Sequence, residues 1–279
     1  MVERGEKIIA SFPYYKKKIK GIFSHIGMPL LTQKLGPYID YGANILSNYK
    51  KISYEHEIYT EFIEKLPKTD SFSVNFDLKY SDWLPFYWKG YKQTTKYTYI
   101  IENIKNHDAL IKQYSKSKKH PLNKAKDVLS LKYDLPAGQF YKYFEEVVRE
   151  RGDNVGFSLD LFTRLYNSVY EHNSGKVFYC VDAQNNIHAI NMIVWDKESA
   201  YYLLAMRKKE YNTSGGTEFL TDESIKYVSQ FVDRFDFEGS MIKGVEESYR
   251  HYGSRQTAYF NINKYNSLPL RLLRAIKNI

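Results

Sequence analysis

Between residues 136 and 206 the hydrophobic period changes from that of a helix to that of a strand, and this change constrains the fold more than any other feature. Phe140, Phe144, Val147 and Val148 fall on one stripe of a helix that Pro136 opens and Gly152 closes. Ser158 is placed to cap a second helix, in which Phe162, Leu165, Tyr166 and Val169 repeat the spacing. Residues 176–181, 187–195 and 199–206 then read as strands, joined by turn clusters at 182–186 and 196–198. Connections that short make an antiparallel meander. Asn212-Thr213-Ser214-Gly215-Gly216 leads directly into a helix over 217–231, followed by a short strand over 234–238. A right-handed crossover places that strand parallel to the one ending near Met206.

The remaining elements are less sharply marked. Residues 7–12 and 19–26 read as short strands broken at Pro13, and 54–66 as a helix carrying Ile58, Phe62 and Ile63, with Pro67 as its stop. Phe72, Val74 and Phe76 alternate on a half-buried strand, and 97–101 is another. A basic helical region over 107–127 is interrupted at Pro121; a helix near 242–249, a strand near 257–261 and a helix from Ser267 complete the chain.

Composition excludes several classes. With 27 Tyr, 16 Phe and 3 Trp there is ample surface to bury, so the chain is not intrinsically disordered. The longest apolar run, 189–195, contains Asn191 and is far short of the roughly 20 residues of a membrane span. The single cysteine, Cys180, reads as packing, and the seven His show no metal-ligand spacing. A cytoplasmic protein without a metal site or a transmembrane segment is expected. Most of the net charge of +9 sits in the first half: through Glu150 there are 25 Lys and Arg against 17 Asp and Glu. Lys112, Lys116, Lys118, Lys119, Lys124 and Lys126 form a stretch without an acid. It reads either as a contact for RNA or an anionic membrane surface, or as a solvated helix face.

The order helix, helix, three-stranded meander, Gly-containing loop, helix, parallel strand, helix, strand resembles that of the GNAT superfamily of N-acyltransferases. FDFEGSMIKGVEESYRHYG, from Phe235 to Gly253, resembles the strand-Gly-x-x-x-x-Gly signature of the Fem family of aminoacyl-tRNA-dependent peptidyltransferases and of their acyltransferase relatives encoded near surface-polysaccharide genes. YSKSKKHPLNKAK (114–126) is similar to that family's Ser-x-x-x-Arg-x-x-Ile-x-x-Ala pattern; Leu122 and Ala125 fit it, while Pro121 and the lysine in place of arginine depart from it. YWKGYKQTTKYTYIIE (87–102) looks like the strand that closes the family's first lobe. The resemblance implies an α/β (α+β) fold of two tandem GNAT-like lobes with mixed central sheets flanked by helices. The first lobe would cover 1–104 and be reduced at its N-terminus, a basic helical connector 105–134, and the second lobe 135–279. The implied activity is transfer of an acyl or aminoacyl group to an amine of a cell-wall (peptidoglycan) or surface-polysaccharide precursor, by direct attack on a thioester or ester. The donor would be an acyl-coenzyme A, such as acetyl-coenzyme A, or an aminoacyl-tRNA, with no permanently bound cofactor. The helical arm that grips tRNA in some Fem proteins has no counterpart here.

Site residues follow from the same resemblance. The donor's pyrophosphate would rest on backbone amides where a helix begins, which here points to Met206, Arg207, Ser214, Gly215, Gly216 and Thr217. The usual Arg/Gln-x-x-Gly-x-Gly spacing is not met, and an ordinary Gly-containing helix start accounts for the same residues. Asp236 and Glu238 stand two apart on a strand and so share a face. Either they face the cleft and take the proton of the attacking amine, or one pairs with Arg250 or Arg255 and braces the strand. Tyr91, Gln93, Thr94 and Arg255 are the acceptor-side candidates, among aromatic residues that suit either sugar stacking or a core. A different class of function stays open, a non-catalytic GNAT-fold module that binds an anionic glycan or RNA.

Overall fold

A computed structural model describes residues 1–42 and 47–277. The chain forms two compact units, one of residues 1–96 together with 258–279 and one of 97–257.

The first unit begins with β1 (Val2–Arg4) and β2 (Lys7–Ser11), an antiparallel pair, and then the hairpin β3 (Tyr15–Ile19) and β4 (Phe23–Gly27). Lys20 and Gly21 turn that hairpin with φ of 52° and 74°, the left-handed pair that a tight strand-to-strand turn demands. The sequence reading broke the strands at Pro13 and resumed at residue 19; the lysines between are instead part of the exposed edge strand β3. Next come β5 (Tyr38–Ile39), which pairs with β2, α1 (Asn48–Lys65), β6 (Ser71–Asn75), parallel to β4, and α2 (Leu84–Trp88). Ile58, Tyr59 and Phe62 of α1 meet Phe72, Val74, Phe76 and Phe86 in an aromatic core, where Phe86 lies 5.3 Å from Phe76 and 5.2 Å from Tyr91 between ring centroids. The chain leaves this unit within β7 (Lys92–Glu102).

The second unit contains α3 (His107–Gln113), α4 (Lys116–Val128), β8 (Ser130–Tyr133), α5 (Ala137–Glu150), α6 (Leu159–Glu171), the meander β9 (Gly175–Val181), β10 (Ile187–Trp195) and β11 (Ala200–Arg207), then α7 (Gly216–Val228), β12 (Arg234–Asp236) and α8 (Lys243–Arg250). Its strands run in the order β7-β12-β11-β10-β9-β8, antiparallel except for β11 and β12. One face packs Leu110, Leu122, Ala125, Leu220 and Ile225 of α3, α4 and α7. The other packs Phe140, Phe144, Val147 and Phe162 of α5 and α6, the stripe legible in the sequence. The chain returns to the first unit in β13 (Arg255–Tyr265), whose second half pairs antiparallel with β6, and ends in α9 (Leu268–Lys277).

The compact units do not follow the linear division into 1–104, 105–134 and 135–279. Strand pairing draws 258–279 back to the first unit, and the expected connector buries Leu110, Tyr114, Leu122 and Ala125 in the core of the second.

The turn between β9 and β10 is held by Asp182, whose carboxylate accepts from the Gln184 amide at 3.0 Å, the Asn186 amide at 2.9 Å and Asn186 Nδ2 at 3.0 Å. The Asn186 side chain leads the groups that hold its pKa at about 2. Because the folded value lies below the unfolded one of about 3.9, this stabilisation is complete above that value and is lost as pH falls towards 2. The gap in urea midpoint between wild type and Asp182→Ala should therefore narrow between pH 5 and pH 2.5, roughly the span these two values bracket.

Candidate active site

The site grows from a mismatch in strand length. β11 and β12 pair only at Ala200 with Phe235 and Tyr201 with Asp236. β12 then ends, while β11 continues along β10 as far as Arg207, so the two parallel strands part from Tyr202 onward. What turns the chain away is a pair of left-handed residues, Glu238 at φ 57° and Gly239 at φ 63°. Gly239 presses on β7: a Cβ there would stand 2.1 Å from the Tyr97 carbonyl oxygen and 2.7 Å from the Thr98 Cα. Gly239→Ala should cost roughly 1–3 kcal/mol from backbone strain alone, read as a lower denaturation midpoint.

The opening holds a cavity of about 210 Å³, lined among others by Tyr202 and Met206 of β11, Thr221 of α7, and Phe237, Tyr249 and Tyr252. Its aromatic wall is ordered. Phe237 stacks on Tyr249 at 4.6 Å and lies 5.3 Å from Tyr252 and 5.6 Å from Tyr202. The Tyr202 hydroxyl meets Thr221 Oγ1 at 3.0 Å. Burial pushes the Tyr202 phenol up to about 12 and raises those of Tyr249 and Tyr252 as well. All three therefore stay protonated at neutral pH and act as hydrogen-bonding groups rather than as bases.

The sequence candidates divide around this cavity. Met206, Arg207 and Thr217 line it. Gly215 is buried instead against α4, where a Cβ would lie 2.2 Å from the Pro121 carbonyl oxygen, and Gly216 against β9, where a Cβ would lie 3.1 Å from Cys180 Sγ. Ser214 Oγ accepts from the Gly216 amide at 3.2 Å and donates to the Tyr211 carbonyl at 2.9 Å, so the start of α7 is capped from within. Close packing, with a left-handed Gly215 at φ 76°, accounts for the glycines that read as an anion cradle.

Asp236 is buried and does not line the cavity. Phe235 and Phe237 face the core on the α7 side, and Asp236 points the other way, accepting from the Thr98 hydroxyl and from the Glu238 amide at 2.7 Å. The period-two argument that put Glu238 on the same face fails because β12 stops at Asp236 and the left-handed turn begins. Glu238 is half-buried there and, like Asp236, is not among the residues that line the cavity, though its charge helps raise the Tyr249 pKa. Arg255 stands 3.5 Å from Glu102, and Arg250 pairs with Glu246 and Glu247.

The six lysines do not form one exposed patch. Lys118 is buried: its Nζ donates to Glu218 Oε1 at 2.9 Å and Ser248 Oγ at 2.8 Å, and it sits 4.8 Å above the Tyr252 ring. Lys126 lies 3.5 Å from the buried Asp222, and Lys119 donates to the Lys112 carbonyl at 2.8 Å. Lys112, Lys116, Lys124 and Lys126 are exposed. A spacing of four and three puts Lys118, Leu122 and Ala125 on one helix face, a signal the sequence does carry.

On the acceptor side, Tyr91 belongs to the aromatic core of the first unit, 5.3 Å from Phe72. Gln93 Nε2 donates to Thr95 Oγ1 at 2.8 Å. Thr94 lines a different cavity in that unit, together with Ser73, Lys92, Asn261 and Asn263. These asparagines, like Tyr202, Thr221, Tyr249 and Tyr252, were not singled out from sequence; the Asn-Ile-Asn alternation at 261–263 is the signal that could have found the former. Among the described residues no group of three His, Cys, Asp or Glu could hold a metal ion, and no helix is long and apolar enough to cross a membrane.

No protein-family profile matches the chain, and no curated protein matches it by sequence. Solved structures do match. FemX superposes with a TM-score of 0.68 at 12% identity, over 99% of this chain and 89% of that one. The L-PGS from Bacillus licheniformis gives 0.52 at 12% identity over 95% and 84%, and a tandem GNAT protein from the clavulanic acid biosynthesis pathway 0.51 at 8% identity over 95% and 81%. With the parted parallel strands described above, these likenesses show that the chain carries a Fem-like, tandem GNAT fold.

Proposed function

We propose that this chain is an enzyme that transfers an acyl or aminoacyl group to an amine, on a cell-wall or surface-polysaccharide precursor. The observation that carries this reading is the 210 Å³ cavity held where β11 and β12 part, with Arg207 and Thr217 on its lining. FemX and the L-PGS share the fold, which supports an acyl-transfer reading but names no substrate for this chain.

In this reading the donor's carbonyl carbon enters the opening between the strands. The amine nitrogen attacks it, a C–N bond forms, and the C–O bond of an ester or the C–S bond of a thioester breaks. The nitrogen gives up a proton and the leaving alcohol or thiol gains one. Beyond Tyr201 the edge of β11 facing β12 is unpaired with that strand, and amides on it suit the charge that develops on the carbonyl oxygen. In this reading Glu238, just past the end of β12, accepts the amine's proton, and Asp236, which holds the Glu238 amide, is its positioning residue. Holding both substrates at the opening supplies much of the acceleration.

Gly215 is packed against α4 and the Gly216 amide is taken by Ser214, so an acyl-coenzyme A pyrophosphate would have fewer helix-start amides to rest on, which supports an aminoacyl-tRNA ester, and with it a cytoplasmic setting, as the donor. Thermal-shift titration tests this choice. A minihelix carrying an amide-linked amino acid should raise the melting temperature, and acetyl-coenzyme A should not up to millimolar concentration. A rise with acetyl-coenzyme A that Thr217→Trp abolishes would make the donor a thioester. If neither ligand shifts the transition, the transfer reading falls and a non-catalytic binder of anionic glycan or RNA takes its place.

A further inference from the structure

We infer that one end of the first unit, where the β3–β4 hairpin turns and α9 begins, is a docking surface for an anionic lipid bilayer. Strand register brings these two elements together. His25 of β4 pairs beside Ser71 of β6, and Tyr265 at the end of β13 pairs with Ser71 from the other side. The hairpin turn and the start of α9 therefore leave the same end of the sheet, two strand spacings or roughly 10 Å apart. Asp70 ties them. Its carboxylate accepts from the Ser24 amide and hydroxyl at 2.8 Å, and its carbonyl accepts from the Asn266 and Ser267 amides at 2.8 and 3.2 Å.

Apolar side chains stand outward at this end. Ile22, at the hairpin tip, is 73% exposed, and Leu268 and Leu272 of α9 are 63% and 56% exposed. A helical period of about 3.6 residues sets these leucines roughly 40° apart, opposite the buried Leu270 that anchors the helix. Cations flank them. Lys18, Lys20 and Arg271 are exposed, and Arg271 is steadied by its Nε donating to the Tyr265 carbonyl at 2.6 Å. The sequence has no acid from Lys7 to Ile39, a span with six lysines, and none from Arg255 to Leu273. Lys16, Lys17, Lys18 and Lys20 form no ion pair among the described residues. Protection of a sheet edge explains the lysines of β3, but not an isoleucine at the hairpin tip or two leucines on the outer face of a helix. Aliphatic groups set among unpaired cations match the acyl boundary and the phosphates of an anionic bilayer. RNA would meet the cations and leave the aliphatic groups in water, since its bases stack on aromatic rings. The inference goes beyond the proposed transfer and does not rest on it, because docking needs neither donor nor amine.

Co-sedimentation of the full chain with vesicles of phosphatidylcholine alone, and of phosphatidylcholine mixed with phosphatidylglycerol, tests the inference. The protein should pellet with the mixed vesicles and stay in solution with the neutral ones. Lys18→Glu combined with Lys20→Glu should weaken binding about tenfold or more, and Ile22→Ser combined with Leu272→Ser about as much. All four side chains are exposed, so the melting temperature should not move, and the comparison of lipids in the wild type needs no variant. No binding to the mixed vesicles would overturn the inference, as would equal binding to the neutral ones or undiminished binding by the Ile22→Ser, Leu272→Ser variant. A single-stranded RNA oligonucleotide that binds where vesicles do not, with affinity lost in the lysine pair and kept in the apolar pair, would also overturn it and make this end a nucleic-acid contact.

Discussion

Glu238→Gln should lower the rate of acyl transfer by about 10²–10⁴ while leaving the melting temperature within a degree or so of wild type. The change keeps the size and polarity of the side chain and removes its ability to take a proton. It also leaves the backbone alone: the left-handed turn at Glu238 and Gly239 is fixed by the approach of Gly239 to β7, and by the bond from the Glu238 amide to Asp236. Asp236→Asn should behave differently. Asp236 is buried and accepts from Thr98 and the Glu238 amide, so its loss should act through the position of Glu238. A fall in melting temperature together with a lower kcat is expected there, against a fall in kcat alone for Glu238→Gln. Full transfer activity in Glu238→Gln would remove it as the proton acceptor and leave the aromatic cavity as a place for binding, with proximity as the source of any acceleration.

Element order was legible where one face of an element is buried. The stripes of α5 and α6, the meander and the crossover through α7 all follow from period and turn chemistry, and with them the parallel pairing of β11 and β12. Three features were hidden, each for a physical reason. A strand of lysines at a sheet edge looks like a loop, because the charges that protect such an edge erase the alternation. Two glycines before a helix look the same whether an anion or another helix comes close; only the Pro121 carbonyl, 94 positions earlier than Gly215, decides between these. The return of β13 to β6 joins residues nearly two hundred apart, and no local pattern announces it. The cavity's tyrosines were in plain sight, yet among 27 tyrosines composition could not say which ones meet.

Lys118 shows most directly how far charge can mislead. Lys118→Met should destabilise the protein by about 3–5 kcal/mol, because it leaves the Glu218 carboxylate buried against α4 without its partner. Glu218→Leu alone should cost a similar amount, by stranding the ammonium next to Ser248 and the Tyr252 ring. The double variant Lys118→Met, Glu218→Leu should recover most of the loss, since two apolar side chains fill the space and no charge remains to be desolvated. The result that decides the matter is the coupling between the two changes, measured from urea midpoints at low and high salt. A coupling of several kcal/mol, insensitive to salt, is what a buried pair at 2.9 Å requires. A coupling below about 1 kcal/mol that fades with salt would mean that Lys118 is a surface charge, and would return it to the polyanion-binding stretch with Lys116 and Lys124. The pair also touches function. Lys118 holds Ser248 and lies over Tyr252, and both of those residues line the cavity between β11 and β12. The double variant should therefore keep the fold and loosen that wall, raising KM for the donor more than it lowers kcat.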